Sequence, residues 1–222
     1  MIKIENTEVI GWEHAIRGMR NPKNSWENSD SCFCTYRPEC EGGCTVFIGP
    51  NDHSLMMTLR NAGTDHRKFM RMITVYVDIT APLYWWKEFD TYKVGTVANS
   101  CSTMHKIHAK EFTLEDFSTE HLYPEVREAF ENTIIKYLNE ARKTYNFLSD
   151  TPSKKDAWWQ MIQLLPSSYN QKRTVMLNYE VLANIYKSRK NHKLDEWHKF
   201  CDWIESLEYS ELITGQLIEE KD

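Results

Sequence analysis

The stretch LLPSSYNQKRTVMLNYEVLANIYKSR (164–189) holds most of the information about how this chain folds. Leu165-Pro166 marks the end of one helix, because proline cannot continue a helix. We predict that the next helix spans 174–190. At about 100° per residue, positions i, i+4, i+7 and i+11 of that helix lie on one stripe. The residues of this stripe are Asn178, Leu182, Ile185 and Arg189.

The stripe from Asn178 to Arg189 has two interpretations. An apolar stripe between an amide and a guanidinium would suit a ligand site, because arginine presents a fork of donors that matches phosphate or carboxylate oxygens. Alternatively, Asn178 is a helix N-cap, and Arg189 complements the helix C-terminus while its stem covers apolar surface. The helix taken alone favours the second interpretation.

Upstream of this stretch, predicted strands and helices alternate. Alternating apolar and polar residues predict a strand over 2–10, and β-branched residues predict another over 72–80 that ends just before Pro82. Residues 21–50 show little periodicity, which predicts an irregular, cysteine-containing excursion. Small and polar residues predict a loop over 94–104. Predicted helices of this half span Trp12–Met19, Asn51–Ala62 and 83–92.

The second half is mostly helical. Pro124 opens a long amphipathic segment that runs to about Leu148. Besides the helix over 174–190, further helices are predicted near 154–164, 194–207 and 209–219. We find no internal repeat and no linker rich in proline and glycine. The elements therefore predict a helix-rich α+β fold that forms a single domain over 1–222.

Composition excludes several classes of protein. Of 222 residues, 41% are apolar, which rules out intrinsic disorder. A net charge of −5 argues against duplex nucleic acid or an anionic membrane as a partner. No apolar run approaches the roughly 20 residues of a membrane-spanning helix, and MIKIENTEVIGWEH does not resemble a signal peptide. We therefore expect a cytoplasmic protein with a small-molecule partner.

The cysteines leave a choice between a metal site and free thiols. Four of the six cysteines lie in SCFCTYRPECEGGC, namely Cys32, Cys34, Cys40 and Cys44. Four thiolates could hold one zinc ion, but this spacing lacks the paired C-x2-C pattern of zinc knuckles. His105 and His108 lack further ligands at a suitable spacing, so we interpret them as surface or cap residues. We predict no metal.

Common catalytic signatures are absent from the sequence. It contains no G-x-G-x-x-G, no G-x-x-x-x-G-K-[ST], no H-E-x-x-H and no G-x-S-x-G motif. The tryptophan pairs Trp85-Trp86 and Trp158-Trp159 could stack on a planar ligand. Adjacent aromatic residues on a helix point about 100° apart, however, so we predict that both pairs pack in the core.

The spacing of polar residues within and after 164–189 carries a family resemblance. A Leu-Pro pair is followed by one asparagine, a second six residues later and an arginine five further. These residues are Pro166, Asn178, Asn184 and Arg189, and Trp197 follows in KLDEWHKF. The run resembles the C-terminal stretch of the flavin-dependent thymidylate synthases, which methylate dUMP with reduced flavin and methylene-tetrahydrofolate. In that family the asparagines lie near the flavin and the arginine holds the nucleotide.

Two further segments are similar to the same family. LMMTLRNAGTDHRKFMRMITVYVDITAP (55–82) resembles its helix, Gly-His turn and strand ending in proline, and His66 takes the place of a histidine close to the flavin. APLYWWKEFDTYKVGTVANSCSTM (81–104) resembles the element that carries a signature Arg-His-Arg and, eight residues later, a serine. The resemblance covers about residues 50–205.

The chain departs from the family at the signature motif. Thr91, Tyr92 and Lys93 occupy the Arg-His-Arg positions, and Cys101, flanked by Ser100 and Ser102, occupies that of the serine. Only Lys93 keeps a positive charge, and one lysine cannot reproduce bidentate phosphate recognition.

Two other positions lose the family's residue type. Ile162 stands where the family usually has an arginine. Glu88 stands where it places an amide that meets the pyrimidine, and an anion there would repel a phosphate.

The resemblance implies a fold with a small antiparallel sheet and a homotetramer whose sites draw residues from several subunits. It implies FAD as cofactor, with NADPH and methylene-tetrahydrofolate as co-substrates. Carried over by position, the cofactor-binding residues are His66, Lys93, Asn178 and Asn184. The substrate-binding residues are Glu88, Ser100, Cys101 and Arg189, of which Arg189 is also assigned the catalytic role.

The resemblance leaves three functions open. The first is transfer of a one-carbon unit to dUMP by a flavoprotein that uses reduced FAD. The second, favoured by the missing Arg-His-Arg, is a non-catalytic nucleotide-binding or regulatory homo-oligomer on the same fold. The third is flavin-dependent modification of another nucleotide, because fold analogy alone does not fix function.

Overall fold

The computed structural model of the protein describes residues 2–33 and 46–215. Within these ranges the strands form a four-stranded and a two-stranded sheet. The strands are β1 (Lys3–Ile10), β2 (Cys32–Phe33), β3 (Val46–Phe47), β4 (Thr74–Pro82), β5 (Val97–Ser100) and β6 (Asn170–Asn178). The larger sheet has the order β1-β4-β6-β5, and in the smaller one Cys32 lies opposite Phe47.

Helices account for most of the remaining elements. The α-helices are α1 (Trp12–Arg20), α2 (Pro50–Asn61), α3 (Leu83–Phe89), α4 (Pro124–Phe130), α5 (Lys136–Phe147), α6 (Pro152–Leu164), α7 (Tyr179–Arg189), α8 (Asp195–Glu205) and α9 (Glu211–Thr214). Short 3₁₀ helices lie at Asn21–Lys23, Trp26–Asn28, Arg67–Arg71 and Leu114–Asp116, and a π-helical turn at Glu131–Ile135 joins α4 to α5. The predicted helix-rich α+β fold with a small antiparallel sheet is confirmed.

The predicted helix over 174–190 was wrong in its first part. Residues 174–178 belong to β6, and the helix begins only at Tyr179. Burial alternates along TVMLN, with Val175 and Leu177 fully buried and their neighbours more exposed, as expected for a strand. Asn178 ends the strand and caps the helix, so the strand-to-helix boundary falls at the N-cap residue itself.

Smaller differences concern the ends of elements. The predicted strand over 72–80 continues to Pro82, where a proline is tolerated because it is the last residue of the strand. The predicted loop over 94–104 contains the exposed strand β5. Of the predicted helix over 209–219, the structure describes the single turn α9.

The described chain divides into two compact units. Unit 1 comprises residues 2–5, 78–91 and 98–174. Unit 2 comprises residues 6–33, 46–77, 92–97 and 175–215. The prediction of a single domain over 1–222 stays a prediction.

The core of unit 1 lies against helices α5 and α6. Its buried apolar residues are Ile107, Phe112, Phe117, Ile135, Leu138 and Met161. Trp85 and Trp86 of α3 are also buried, and Trp86 Nε1 donates to the carbonyl oxygen of Gln171 at 2.8 Å. Core packing is therefore confirmed for this tryptophan pair, whereas Trp159 of the second pair is exposed.

The core of unit 2 is built around α7. Leu182 and Ile185 are fully buried, and the Trp12 ring packs edge-on against Tyr179 with centroids 5.2 Å apart. Trp197 of α8 is also fully buried. Large apolar side chains from three helices thus fix the position of α7, on which the candidate residues depend.

The predicted excursion over 21–50 is anchored by a buried ion pair at its boundaries. Arg20 Nε donates to Asp52 Oδ1 at 2.6 Å, and Asp52 Oδ2 accepts from Ser29 Oγ at 2.7 Å and Ser31 Oγ at 2.6 Å. Burial raises the pKa of Asp52, but the hydrogen bonds from the serines and Arg20 outweigh it and hold that pKa below its usual value. The two ends of the excursion are therefore joined.

The absence of a metal stays a prediction. Cys34, Cys40 and Cys44 lie outside the described residues, and Cys32 is an exposed free cysteine. Over residues 2–33 and 46–215, no three His, Cys, Asp or Glu side chains are grouped so as to hold a metal ion. In the same ranges, no helix is long and apolar enough to cross a membrane.

Candidate functional site

The guanidinium of Arg189 lies between two aromatic side chains of unit 2. Its Nε donates to the hydroxyl oxygen of Tyr92 at 2.9 Å. Its Cζ lies 4.8 Å from the centroid of the Trp197 ring and 5.6 Å from that of Tyr92. The two rings meet nearly edge-on, with centroids 6.2 Å apart. We call Tyr92, Arg189 and Trp197 the arginine box.

The other end of α7 is capped by Asn178. Its side-chain oxygen accepts from the backbone N–H of Val181 at 3.0 Å, which satisfies one of the unpaired donors of the first helical turn. Gly95 lies against this cap with φ of 77°, and a Cβ on Gly95 would come within 3.0 Å of Asn178 Nδ2. Glycine suits this position for both conformation and space.

The segment 92–97 therefore follows α7 from one end to the other. Tyr92 contacts the last residue of the helix, and Gly95 lies against the first turn. The helix has 11 residues and is roughly 16 Å long at about 1.5 Å per residue. The segment 92–97 thus contacts both polar residues of the predicted stripe, Asn178 and Arg189.

The middle of the stripe does not form a ligand surface. Leu182 and Ile185 are 0% exposed and belong to the core. The N-cap interpretation of Asn178 is confirmed, and Arg189 lies in the last turn with its guanidinium stacked on Trp197. The structure thus brings the two polar residues to opposite ends of α7 and assigns the apolar residues between them to packing.

A second cluster of arginines lies beside the first half of α7. Arg67 and Arg71 both donate to the carboxylate of Glu180, Arg67 at 3.2 Å, and Arg67 Nη2 also donates to Asn184 Oδ1 at 3.2 Å. Burial raises the pKa of Glu180, but the hydrogen bonds from Arg71 and Arg67 outweigh it and lower the pKa below its usual value. We call Arg67, Arg71, Glu180 and Asn184 the Glu180 cluster.

The remaining predicted cofactor residues of unit 2 are exposed. His66 immediately precedes the 3₁₀ helix that carries Arg67 and Arg71, and its side chain is exposed. Lys93 follows Tyr92 and is also exposed, and its carbonyl oxygen accepts from Thr96 N–H at 3.4 Å. Unit 2 therefore holds the residues His66, Lys93, Asn178, Asn184 and Arg189.

Unit 1 holds the other three predicted residues. Glu88 is half-buried in α3, and Ser100 ends the exposed strand β5. The backbone N–H of Cys101 donates to the carbonyl of Lys172, its carbonyl accepts from Gln171 Nε2, and both distances are 2.9 Å. These two hydrogen bonds fix the backbone of Cys101, and Cys101 is nevertheless exposed to solvent.

An open cavity of about 610 Å³ adjoins the C-terminal end of α7. It is lined mainly by polar residues, among them Lys190, His192, Cys201, Asp202 and Glu205. Burial raises the pKa of the Cys201 thiol to about 11, so this cysteine stays protonated at neutral pH. Two carboxylates beside one lysine make this cavity a poor phosphate site.

Comparison with known proteins identifies the fold. No protein-family model and no curated protein matches the chain. A crystal structure of thymidylate synthase X (ThyX) from Helicobacter pylori with FAD and dUMP superimposes with a TM-score of 0.68 at 15% identity, covering 97% of this chain and 98% of that one. The chain has the fold of ThyX. A second structure of the H. pylori flavin-dependent enzyme, also with FAD and dUMP, gives a TM-score of 0.64 at 17% identity and covers 97% and 99% of the two chains.

The side chains of unit 2 fit a cofactor that carries phosphates and polar ring atoms. The Glu180 cluster sets two guanidiniums against one carboxylate, which leaves an excess of positive charge. Within residues 2–33 and 46–215, Thr96 Oγ1 is a buried hydroxyl oxygen for which no hydrogen-bond partner is present. A buried polar atom of this kind usually has a partner, and a ligand can supply it. Donors of these kinds can bind phosphate oxygens.

Sequence reasoning missed Arg67 and the contact between Tyr92 and Arg189. Arg67 directly follows His66 in DHRKF. Its position next to the histidine that the resemblance assigns to the flavin could have marked it as a candidate site residue. Tyr92 and Arg189 are 97 residues apart, and no local pattern relates them.

Proposed function

We propose that this protein binds FAD and dUMP and transfers a one-carbon unit to dUMP, as the flavin-dependent thymidylate synthases do. The arginine box carries the proposal, because Arg189 stands where the resemblance expects the arginine that holds the nucleotide. The fold, shared over 97% of the chain with enzymes solved with FAD and dUMP, supports it. Homotetramer assembly is part of the proposal.

Arg189 would bind the nucleotide through charge-assisted hydrogen bonds. Its stacking on Trp197 and its bond to Tyr92 favour one orientation of the guanidinium. A planar guanidinium in a fixed orientation is suited to phosphate or to the carbonyl edge of a pyrimidine. Lys93, on the adjacent exposed position, would add a positive charge for the flavin phosphates.

The two asparagines would act as donors to the flavin or the ribose. Asn178 uses its side-chain oxygen to cap α7, and Asn184 uses its side-chain oxygen to accept from Arg67. Each therefore offers its Nδ2 group to a ligand. His66, on the exposed side of the turn before Arg67, would contact the flavin.

Reduced FAD, when bound, would supply the hydride and relay the one-carbon unit, with methylene-tetrahydrofolate as its source and NADPH as the reductant. No cysteine nucleophile is then required. Glu88, Ser100 and Cys101 of unit 1 stay predictions as nucleotide-binding residues.

A non-catalytic nucleotide-binding protein is the second candidate. It is favoured by the replacement of Arg-His-Arg with Thr91, Tyr92 and Lys93, which removes two guanidiniums. It is also favoured by Glu180, whose carboxylate compensates one of the positive charges of Arg67 and Arg71. Such a protein would keep the nucleotide site without the transfer.

A turnover assay separates the two candidates. Purified protein is incubated with FAD, NADPH, methylene-tetrahydrofolate and dUMP, and dTMP is measured by mass spectrometry. The proposal predicts dTMP formation that requires FAD and is lost in Arg189→Ala. A protein that binds dUMP in calorimetry yet forms no dTMP supports the second candidate. A protein that binds neither FAD nor dUMP contradicts both.

A further inference from the structure

Arg67 contacts two polar residues on the same face of α7. Its Nε donates to Glu180 Oε1 at 3.2 Å, and its Nη2 donates to Asn184 Oδ1 at 3.2 Å. Glu180 and Asn184 are four residues apart, so their side chains lie one turn apart on the helix. The planar fork of one guanidinium therefore spans a turn of α7 and fixes two side chains at once.

The carboxylate that holds Arg67 is itself held in place. Arg71 Nε donates to Glu180 Oε2, and Arg71 Nη2 donates to Glu180 Oε1 at 3.3 Å. The side chain of Glu180 is 11% exposed and that of Arg67 is 18% exposed, so both are largely removed from water. Hydrogen bonds between charged groups are stronger in such surroundings than in water. The guanidinium of Arg67 thus has a defined position before any ligand binds.

The bond from Arg67 determines which way the amide of Asn184 faces. A guanidinium has donors and no acceptor, so the atom that Asn184 turns toward Arg67 must be its oxygen. The Nδ2 group is then directed away from Arg67, and among the residues that the structure describes it has no hydrogen-bond partner. Asn184 is exposed, so a ligand can reach this group. An asparagine held in this way offers a ligand donors and no acceptor.

We infer that Arg67 is a positioning residue that fixes the amide of Asn184 so that its Nδ2 donates to an acceptor atom of FAD. The ligand named here rests on the proposed function. Fixing the amide before binding lowers the entropy lost when the ligand arrives. The charge-assisted bond to the amide oxygen also makes Nδ2 a stronger donor. The bond from Arg67 to Glu180 stabilises the fold, whereas its bond to Asn184 acts on the ligand.

Calorimetric titrations of the full chain with FAD test this role. Arg67→Lys keeps a positive charge beside Glu180, but lysine lacks the fork that reaches both side chains. We expect this variant to bind FAD about fivefold more weakly than the wild type, because the amide of Asn184 is no longer fixed. In an Asn184→Ala background, Arg67→Lys should have no further effect on FAD affinity.

Arg71→Lys is the matched comparison. Arg71 bonds to the same carboxylate, and within the described part of the chain it makes no bond to Asn184. The effect of Arg71→Lys on FAD affinity should therefore be the same in the wild-type and Asn184→Ala backgrounds. If the effect of Arg67→Lys is also the same in both backgrounds, Arg67 acts only through the fold, and the positioning role is overturned.

Asn184→Asp tests the direction of the amide and leaves Arg67 in place. This variant keeps an oxygen for Arg67 and loses the donor, so it should bind FAD no better than Asn184→Ala. Wild-type affinity in Asn184→Asp would overturn the inference that the donor faces the ligand.

A measurement without FAD keeps this role separate from the proposed function. The side-chain Nδ2 signals of Asn184 in a nitrogen-proton NMR spectrum, assigned by their absence in Asn184→Ala, should shift in Arg67→Lys and shift less in Arg71→Lys. Equal shifts in the two variants overturn the positioning role and leave the proposed function standing. A wild-type protein that binds no FAD overturns the proposed function and the ligand assigned here, and the shifts then still decide whether Arg67 fixes Asn184.

Discussion

The two ends of α7 hold arginine side chains in different ways. Beside the first turn, Arg67 and Arg71 donate to the buried carboxylate of Glu180. At the last turn, Arg189 donates to a tyrosine hydroxyl and stacks on a tryptophan ring. The first arrangement joins opposite charges, and the second includes a tyrosine hydroxyl and an indole ring.

This difference separates a structural contribution from a binding contribution. Removing one member of a buried ion pair leaves an uncompensated charge, so the Glu180 cluster should matter chiefly for stability. The proposed function places Arg189 at the nucleotide, and Tyr92 and Trp197 contact its guanidinium, so the arginine box should matter chiefly for nucleotide binding. Substitutions at the two ends of one helix should therefore affect different measurements.

The largest expected effect is on nucleotide binding. Arg189→Ala should lower dUMP affinity about a hundredfold, which corresponds to about 3 kcal/mol, because several charge-assisted hydrogen bonds depend on one guanidinium. Its circular dichroism spectrum should match that of the wild type. Calorimetric titration with dUMP measures the change.

Arg173→Ala is the matched control for that variant. Arg173 of unit 1 also stacks on a tryptophan, with its Cζ 4.2 Å from the Trp86 ring, and pairs with Asp90 at 2.7 Å. It belongs to no part of the candidate site and should leave dUMP affinity unchanged. Equal losses of dUMP affinity in both variants would show that Arg189 has no specific role in nucleotide binding and only complements the helix C-terminus.

The next largest effect is on stability. Glu180→Ala should lower the free energy of unfolding by about 2 kcal/mol, because it leaves two guanidiniums without their shared carboxylate. Glu140→Ala removes a carboxylate from an exposed pair with Lys143 and should leave stability nearly unchanged. Urea denaturation compares the two, and equal stabilities would contradict the structural role of the Glu180 cluster.

Acidification should weaken the same cluster. Because the pKa of Glu180 is lower in the folded protein than the ordinary value of a glutamate, the stabilisation from its ion pairs is fully present above that ordinary value and is lost as pH falls through the folded pKa. Glu180→Gln cannot ionise at this position and should lose less stability on acidification than the wild type. Parallel curves of unfolding free energy against pH for the two proteins would contradict this assignment.

The smallest effect on stability is expected at Asn178, the residue that caps the start of α7. Asn178→Ala should cost about 1 kcal/mol of stability, because Val181 N–H loses its acceptor. Asn178→Asp keeps a capping oxygen and should stay close to the wild type. Thermal denaturation distinguishes them, and an equal loss in both variants would show that the loss does not come from the capping oxygen.

Much of the fold could be predicted from local patterns. The strand over 2–10 and the helix from Trp12 follow from periodicity and appear with nearly the predicted ends. The prediction is wrong at TVMLN (174–178) because the residues from Asn178 to Arg189 have helical spacing, and the predicted helix continues this spacing to residues before Asn178. The asparagine was itself the sign of the boundary, since a residue that caps a helix lies outside it.

The candidate site was predictable only by position. The resemblance pointed to Asn178, Asn184 and Arg189, and the residues share one helix or its cap. What each side chain contacts depends on tertiary structure: Arg67 reaches Asn184 across 117 residues, and Tyr92 reaches Arg189 across 97. Such contacts follow from the packing of whole elements, which local propensity does not specify.

Flavin uptake tests the central claim most directly. The purified full chain is mixed with FAD, freed of unbound cofactor by gel filtration and examined by visible absorbance. We predict a yellow protein with a flavin band close to one FAD per chain, weakened in Lys93→Ala. A colourless protein that retains no FAD would contradict it.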